Sequence, residues 1–252
     1  MINDRLTNGD AVQLRPVDMS NLRDRVELRL RDAILDGTFR PGQRLIESAI
    51  ADQLGVSRAP LREVFSALGR EGLVVNIPRR GNFVVDFTDK DIEEIYSLRL
   101  LLELGALRRA IRRFKAEDLA ELQALVDRLG EVAVSGSAPE EVVRLDLLFH
   151  ACICRAADHG RLFQVWDSMR AQTQLLIGLT SRTHYQPGEP RQHHQAILDA
   201  IKAADLSGAE AILLHHIEDA QRRACLALGR VRSIENGFTP DPEHNQMEET
   251  HA

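Results

Sequence analysis

The apolar residues change their spacing at Gly72, and that change limits the fold more than any other feature of the chain. Before it, Leu61, Val64, Phe65 and Leu68 recur at intervals of three and four, the period of a helix. After it, Leu73, Val74, Val75 and Ile77, then Phe83, Val84 and Val85, make two short runs around Pro78-Arg79-Arg80-Gly81, the pattern of a β-hairpin. Upstream, a helix spans about Glu47 to Leu54, and Gly55 follows where a helix C-terminus favours left-handed geometry. Val56 fills the gap to Ser57, which is placed to N-cap the next helix, with Pro60 in its first turn. In order, Leu45 to Val85 reads as helix, tight turn, second helix and two-stranded wing. That is a winged helix-turn-helix.

Arg58 and Arg62 fall off the apolar stripe of the second helix, near the exposed N-terminal end that a recognition helix presents to base edges. Arg79, Arg80 and Gly81 sit at the hairpin tip, where cations and a close backbone suit phosphates or a minor groove. Any one of these arginines alone reads as an ordinary solvated charge. Four at the tips of two adjacent elements point to nucleic acid.

The segment RDAILDGTFRPGQRLIESAIADQLGVSRAPLREVFSALGREGL resembles the DNA-binding domain of the GntR family of bacterial transcription regulators. The PGQRL turn, the LGVSR segment, the LRE triplet and the EGL exit carry the likeness. It implies that Arg58 and Arg62 contact operator guanine and phosphate and that Arg80 and Gly81 form a wing tip in the minor groove. The expected DNA-contacting set is Arg44, Ser57, Arg58, Arg62, Arg79, Arg80 and Gly81. Ser48 stands where some members carry a further DNA-contacting arginine.

The rest of the chain reads as mainly α. Residues 1–20 form an expected flexible arm, 21–87 the winged domain, 88–230 an all-α bundle and 231–252 a disordered tail. A helix over Asn21 to Leu35, apolar at Leu22, Val26, Leu30, Ala33 and Ile34, should support the helix-turn-helix. Thr88-x-x-Asp91 opens a long helix with an apolar stripe through Ile92, Ile95, Leu98, Leu102 and Leu107. Further helices are expected near 117–133, 138–157, 161–180, 189–203 and 207–228, two of them introduced by the capping boxes Ser137-x-x-Glu140 and Ser207-x-x-Glu210. With 44% hydrophobic residues but only 4% aromatic, helices built on Leu and Ala fit best.

Charge divides unevenly. From Thr88 onward nineteen Lys/Arg face twenty-six Asp/Glu, against twelve and ten between Arg15 and Phe87, so the net −6 belongs to the second part and does not argue against a basic DNA face. Cys152, Cys154 and Cys225 have neither metal-binding spacing nor an even-numbered framework, which suggests reduced thiols in a cytoplasm. No secretory leader and no membrane-spanning run is evident.

Within the expected bundle, polar groups interrupt apolar faces. Asp146 and His150, four apart, share a face with Val142, Val143, Phe149 and Ile153; His194 lies with Ile197, Leu198 and Ile201; His216 lies with Ile212, Leu213 and Ala220. Alone, Asp146 and His150 read as a hydrogen-bonded pair. Three inward histidines and one aspartate on three helices instead suggest an N/O metal site, Zn²⁺ first, with Ni²⁺, Mn²⁺ or Co²⁺ as alternatives. His215 should face solvent; between His193 and His194 the choice is closer, and His194 is preferred for its bulkier apolar neighbours.

The stretches YSLRLLLE, DLLFHACI, HHQAILDAI and AILLHHIEDA resemble the FCD ligand-binding domain of the FadR-type branch of the same family. The likeness implies Asp146, His150, His194 and His216 as metal ligands and Arg99 as the partner of a small carboxylate effector. His193 replaces a common glutamate. Arg99 also has a plainer reading, an i, i+4 ion pair with Glu103 at the surface. The leading expectation is a homodimeric regulator that binds operator DNA and senses an organic acid. A DNA-binding regulator with a purely structural metal, and a metal-dependent hydrolase, remain as alternatives.

Overall fold

The computed structural model describes residues 19–135, 139–181 and 188–229. The expected arm up to residue 18, the tail from 230 and the Ser137 capping position lie outside the described residues. Helix α1 (Met19–Leu35) is followed by strand β1 (Arg44–Leu45), helices α2 (Glu47–Leu54) and α3 (Arg58–Arg70), and strands β2 (Val74–Ile77) and β3 (Gly81–Val84). Then come α4 (Asp89–Ala110), α5 (Ala116–Ser135), α6 (Pro139–Ala156), α7 (Gly160–Ser168), α8 (Arg170–Ser181), α9 (Glu189–Lys202) and α10 (Leu206–Ala227). Among the described residues no helix is long and apolar enough to cross a membrane.

The winged segment forms as its spacing predicts. Leu61, Val64, Phe65 and Leu68 of α3 are buried together with Val26, Leu30 and Ile34 of α1, so α1 supports the recognition element. The wing differs in one respect: β1 joins it, and the sheet has three antiparallel strands in the order β1-β3-β2. The pairing Arg44↔Phe83 and Leu45↔Asn82 fixes Arg44 beside the base of the wing. A two-residue strand leaves almost no periodic signal, which is why the sequence reads as two-stranded.

Three further expectations need correction. Ser57 has the extended geometry of an N-cap but makes no side-chain capping hydrogen bond. Helix α10 is capped by Asp205, which accepts from Gly208 N, and not by Ser207. The segment 161–180 is two helices, α7 and α8, that meet at Met169. By contrast Thr88 and Asp91 form the capping box at the start of α4, with both reciprocal bonds present.

Helix α8 touches both parts of the molecule. Gln172 on α8 donates to Gly72 O at 3.4 Å, just beyond the C-terminus of α3. Gly72 has φ +71, and a Cβ built there would lie 2.5 Å from Gln172 Nε2. Left-handed geometry costs a non-glycine residue about 1–2 kcal/mol. Gly72→Ala is therefore expected to lower stability by about that amount, read as a shift of the urea midpoint at constant slope. No change in midpoint would mean that neither strain nor crowding acts there.

Candidate functional site

Asp146 and His150 come from α6, His194 from α9 and His216 from α10, and all four are buried. Their candidate ligand atoms all lie within 4.8 Å of one another. His194 Nε2 is 3.1 Å and His216 Nε2 3.8 Å from Asp146 Oδ1, and His150 Nε2 is 3.1 Å from His216 Nε2. The sequence-selected set is thus brought together at one point.

The imidazole tautomers can be argued from the outer partners. His194 Nδ1 lies 2.6 Å from Pro190 O, a carbonyl that only accepts, so Nδ1 carries the proton. His150 Nδ1 lies 2.6 Å from Glu103 Oε2. Despite burial, Arg99 and His150 hold the Glu103 carboxyl down to about 2, so it is ionised and accepts. The His150 ring then turns an Nε2 lone pair inward, and His194 Nε2 points toward the same centre. His194 Nε2 faces Asp146 Oδ1 at 3.1 Å without hydrogen-bond alignment. Burial holds the His150 and His216 pKa values below the usual imidazole range, which keeps the rings in the neutral form a metal needs. The donor set fits a divalent ion of the Zn²⁺ class.

Around these four lies a shell that the sequence reading underrated. Glu103 is wholly buried and accepts from Arg99 Nε at 2.6 Å and from Trp166 Nε1 at 2.9 Å, besides His150. Arg99 is 1% exposed, and its Nη2 is 4.0 Å from Asp146 Oδ2. The i, i+4 pair is therefore present but belongs to the interior, not the surface. The reason is a rotation of α4: its buried positions are Ile92, Tyr96, Arg99, Glu103, Ala106, Leu107 and Ala110, whereas Leu98 is 40% exposed. A stripe chosen for aliphatic residues misses a face that carries an ion pair and a tyrosine. Tyr96 OH, Arg99 Nη1 and Nη2, and Asp146 Oδ2 are buried without a hydrogen-bond partner among the described residues. His215 is exposed, as its position on α10 predicts, and His193 is half-buried.

The second candidate surface lies on the winged segment. Arg44, Ser57, Arg58, Arg62, Arg79 and Arg80 are exposed, Gly81 and Ser48 half-buried. Gly81 has φ +104, and a Cβ there would come 3.7 Å from Arg44 Nε. That links Arg44 to the wing tip, a relation that only the β1–β3 pairing reveals. Arg80 rests over the Phe83 ring at 5.7 Å.

Residues 22–84 match the bacterial regulatory proteins of the gntR family, and residues 94–219 match the FCD domain. The chain belongs to the GntR family of transcription regulators, with an FCD domain. It is 29% identical over 202 residues to the gluconate operon transcriptional repressor of Bacillus subtilis (strain 168), covering 78% of this chain and 82% of that protein. It is 29% identical over 196 residues to the HTH-type transcriptional regulator McbR of Escherichia coli (strain K12), covering 75% and 86%. Among solved structures, a GntR regulator from Rhodococcus sp. RHA1 superposes with a TM-score of 0.68 at 30% identity, over 82% of this chain and 99% of that one. Family membership makes the protein a DNA-binding transcription regulator and sets the hydrolase alternative aside.

Proposed function

We propose that this regulator binds a near-palindromic operator as a two-fold homodimer in the cytoplasm, with an affinity set by a small carboxylate held beside a divalent metal. The metal is assigned to Asp146, His150, His194 and His216, the carboxylate to Arg99. One observation carries the reading: Tyr96 OH and both terminal nitrogens of Arg99 are buried next to the Asp/His set with no hydrogen-bond partner among the described residues. Leaving such donors unpaired costs about 1–3 kcal/mol each, and more for a charged group. A carboxylate can accept from two guanidinium nitrogens and a hydroxyl at once. A purely structural metal would need only the four ligands and gives no reason for orphaned donors beside them.

Effector sensing then requires unequal affinity for two conformations, and operator DNA must change effector affinity by the same factor. A thermal-shift panel of small mono- and dicarboxylates on Zn²⁺-loaded protein, repeated with chelator, tests this. At least one acid is expected to raise the melting temperature only when metal is present. If no acid shifts it, or if shifts persist after chelation, the metal-linked reading fails.

On the DNA side, Arg58 and Arg62 are assigned to the major groove and Arg44, Ser57, Arg79, Arg80 and Gly81 to the backbone and minor groove. Arg62→Ala is expected to cost about 1–3 kcal/mol and to relax preference at one base pair. A salt-controlled titration with unchanged affinity and unchanged preference would remove Arg62 from the interface.

A further inference from the structure

We propose that Glu47 is a positioning residue for DNA reading: its carboxylate ties the recognition helix to the wing and sets the plane of the Arg62 guanidinium. The inference rests on the proposed reading of α3 as the helix that enters the major groove. Glu47 is the first residue of α2, where a carboxylate meets the positive end of the helix. Its Oε2 lies 3.3 Å from Arg62 Nε. Its Oε1 accepts from Asn82 Nδ2, also at 3.3 Å. Asn82, buried in β3, accepts in turn from Asn76 Nδ2 of β2 at 2.8 Å. One carboxylate therefore joins α2, α3 and both strands of the hairpin.

A carboxylate on a DNA-facing surface needs an explanation, since phosphates repel it and every cation it masks is lost to the backbone. The Arg62 side chain is 72% exposed, and without a partner its guanidinium would sample many rotamers. Contact at Nε restrains the plane of the group and leaves the Nη1–Nη2 edge free. That edge can donate two parallel bonds to guanine O6 and N7. Glu47 thereby gives up affinity for DNA in general and gains selectivity between sequences.

The test uses the full chain and a pool of DNA duplexes with a randomised centre. Wild-type protein enriches a sequence from the pool. The enriched and a scrambled duplex are then titrated at one salt concentration with wild type, Glu47→Ala, Glu47→Gln, Arg62→Ala and the double variant Glu47→Ala/Arg62→Ala. Glu47→Ala should lower the enriched-to-scrambled affinity ratio roughly tenfold, with scrambled binding unchanged or tighter. The double variant should lose no more than Arg62→Ala alone. Glu47→Gln, which keeps one acceptor oxygen, should fall between, and it carries the comparison if Glu47→Ala does not fold. Equal weakening on both duplexes, or an undiminished effect in the Arg62→Ala background, would mean that Glu47 only braces the fold. Failure of wild type to enrich any sequence would overturn the reading of α3 and this inference with it.

Discussion

Glu103→Ala is expected to destabilise the protein by about 3–5 kcal/mol, the range for removing one partner of a buried ion pair. Three donors converge on this carboxylate: Arg99 Nε, His150 Nδ1 and the Trp166 indole. Alanine would leave a guanidinium that is 1% exposed without its counter-charge, in a place water does not reach. Glu103→Gln keeps the shape and some of the bonds, so it should cost less. The pH dependence has a definite sign. Glu103 is held at about 2, below its ordinary 4.5, so the unfolded chain takes up this proton first as the solution is acidified. Its contribution is therefore complete above pH 4.5 and is lost as pH falls from there toward 2. Urea unfolding of both variants near neutral pH checks the magnitude. A loss below about 1 kcal/mol for alanine would show that Arg99 finds another partner.

What the sequence made legible follows from where periodicity is strong. The α3 stripe and the inward faces of α6, α9 and α10 are read correctly because each histidine or aspartate interrupts a run of bulky aliphatic neighbours. Helix α4 fails that test. Its Leu-rich composition offers several candidate faces, and the one that packs inward contains Arg99 and Glu103, residues a hydrophobicity rule assigns to solvent. Trp166 is missed for a different reason. It donates to Glu103 from near the end of α7, and the break at Met169 is invisible because apolar spacing continues across it. The cap of α10 is misplaced by two residues because Ser207 and Asp205 are both good capping residues, and only geometry decides between them.

Loading chelator-treated protein with Zn²⁺ is expected to raise stability by about 4 kcal/mol when free metal stands near 1,000 times its dissociation constant. The site exists only in the folded chain, because its ligands come from α6, α9 and α10 and are far apart in sequence, so binding energy becomes folding energy. His150→Ala should abolish most of this increment. It removes one ligand outright and also frees Glu103, whose bond to Nδ1 orients the ring. Protons should compete with the metal in the same direction as they act on the fold. Burial lowers the His150 and His216 pKa values from 6.5, so the unfolded chain protonates these rings first as pH drops below that value. The metal-dependent increment follows protonation of the folded chain's own rings, so it should hold at and somewhat below pH 6.5 and be lost only as pH falls through their lowered values. Elemental analysis of protein purified without chelator, beside melting curves with and without added Zn²⁺ from pH 5 to 8, measures all three effects. Equal metal content in wild type and His150→Ala would take His150 out of the ligand set. A melting temperature indifferent to Zn²⁺ across the whole range would leave Asp146 and the three histidines as a hydrogen-bonded polar core.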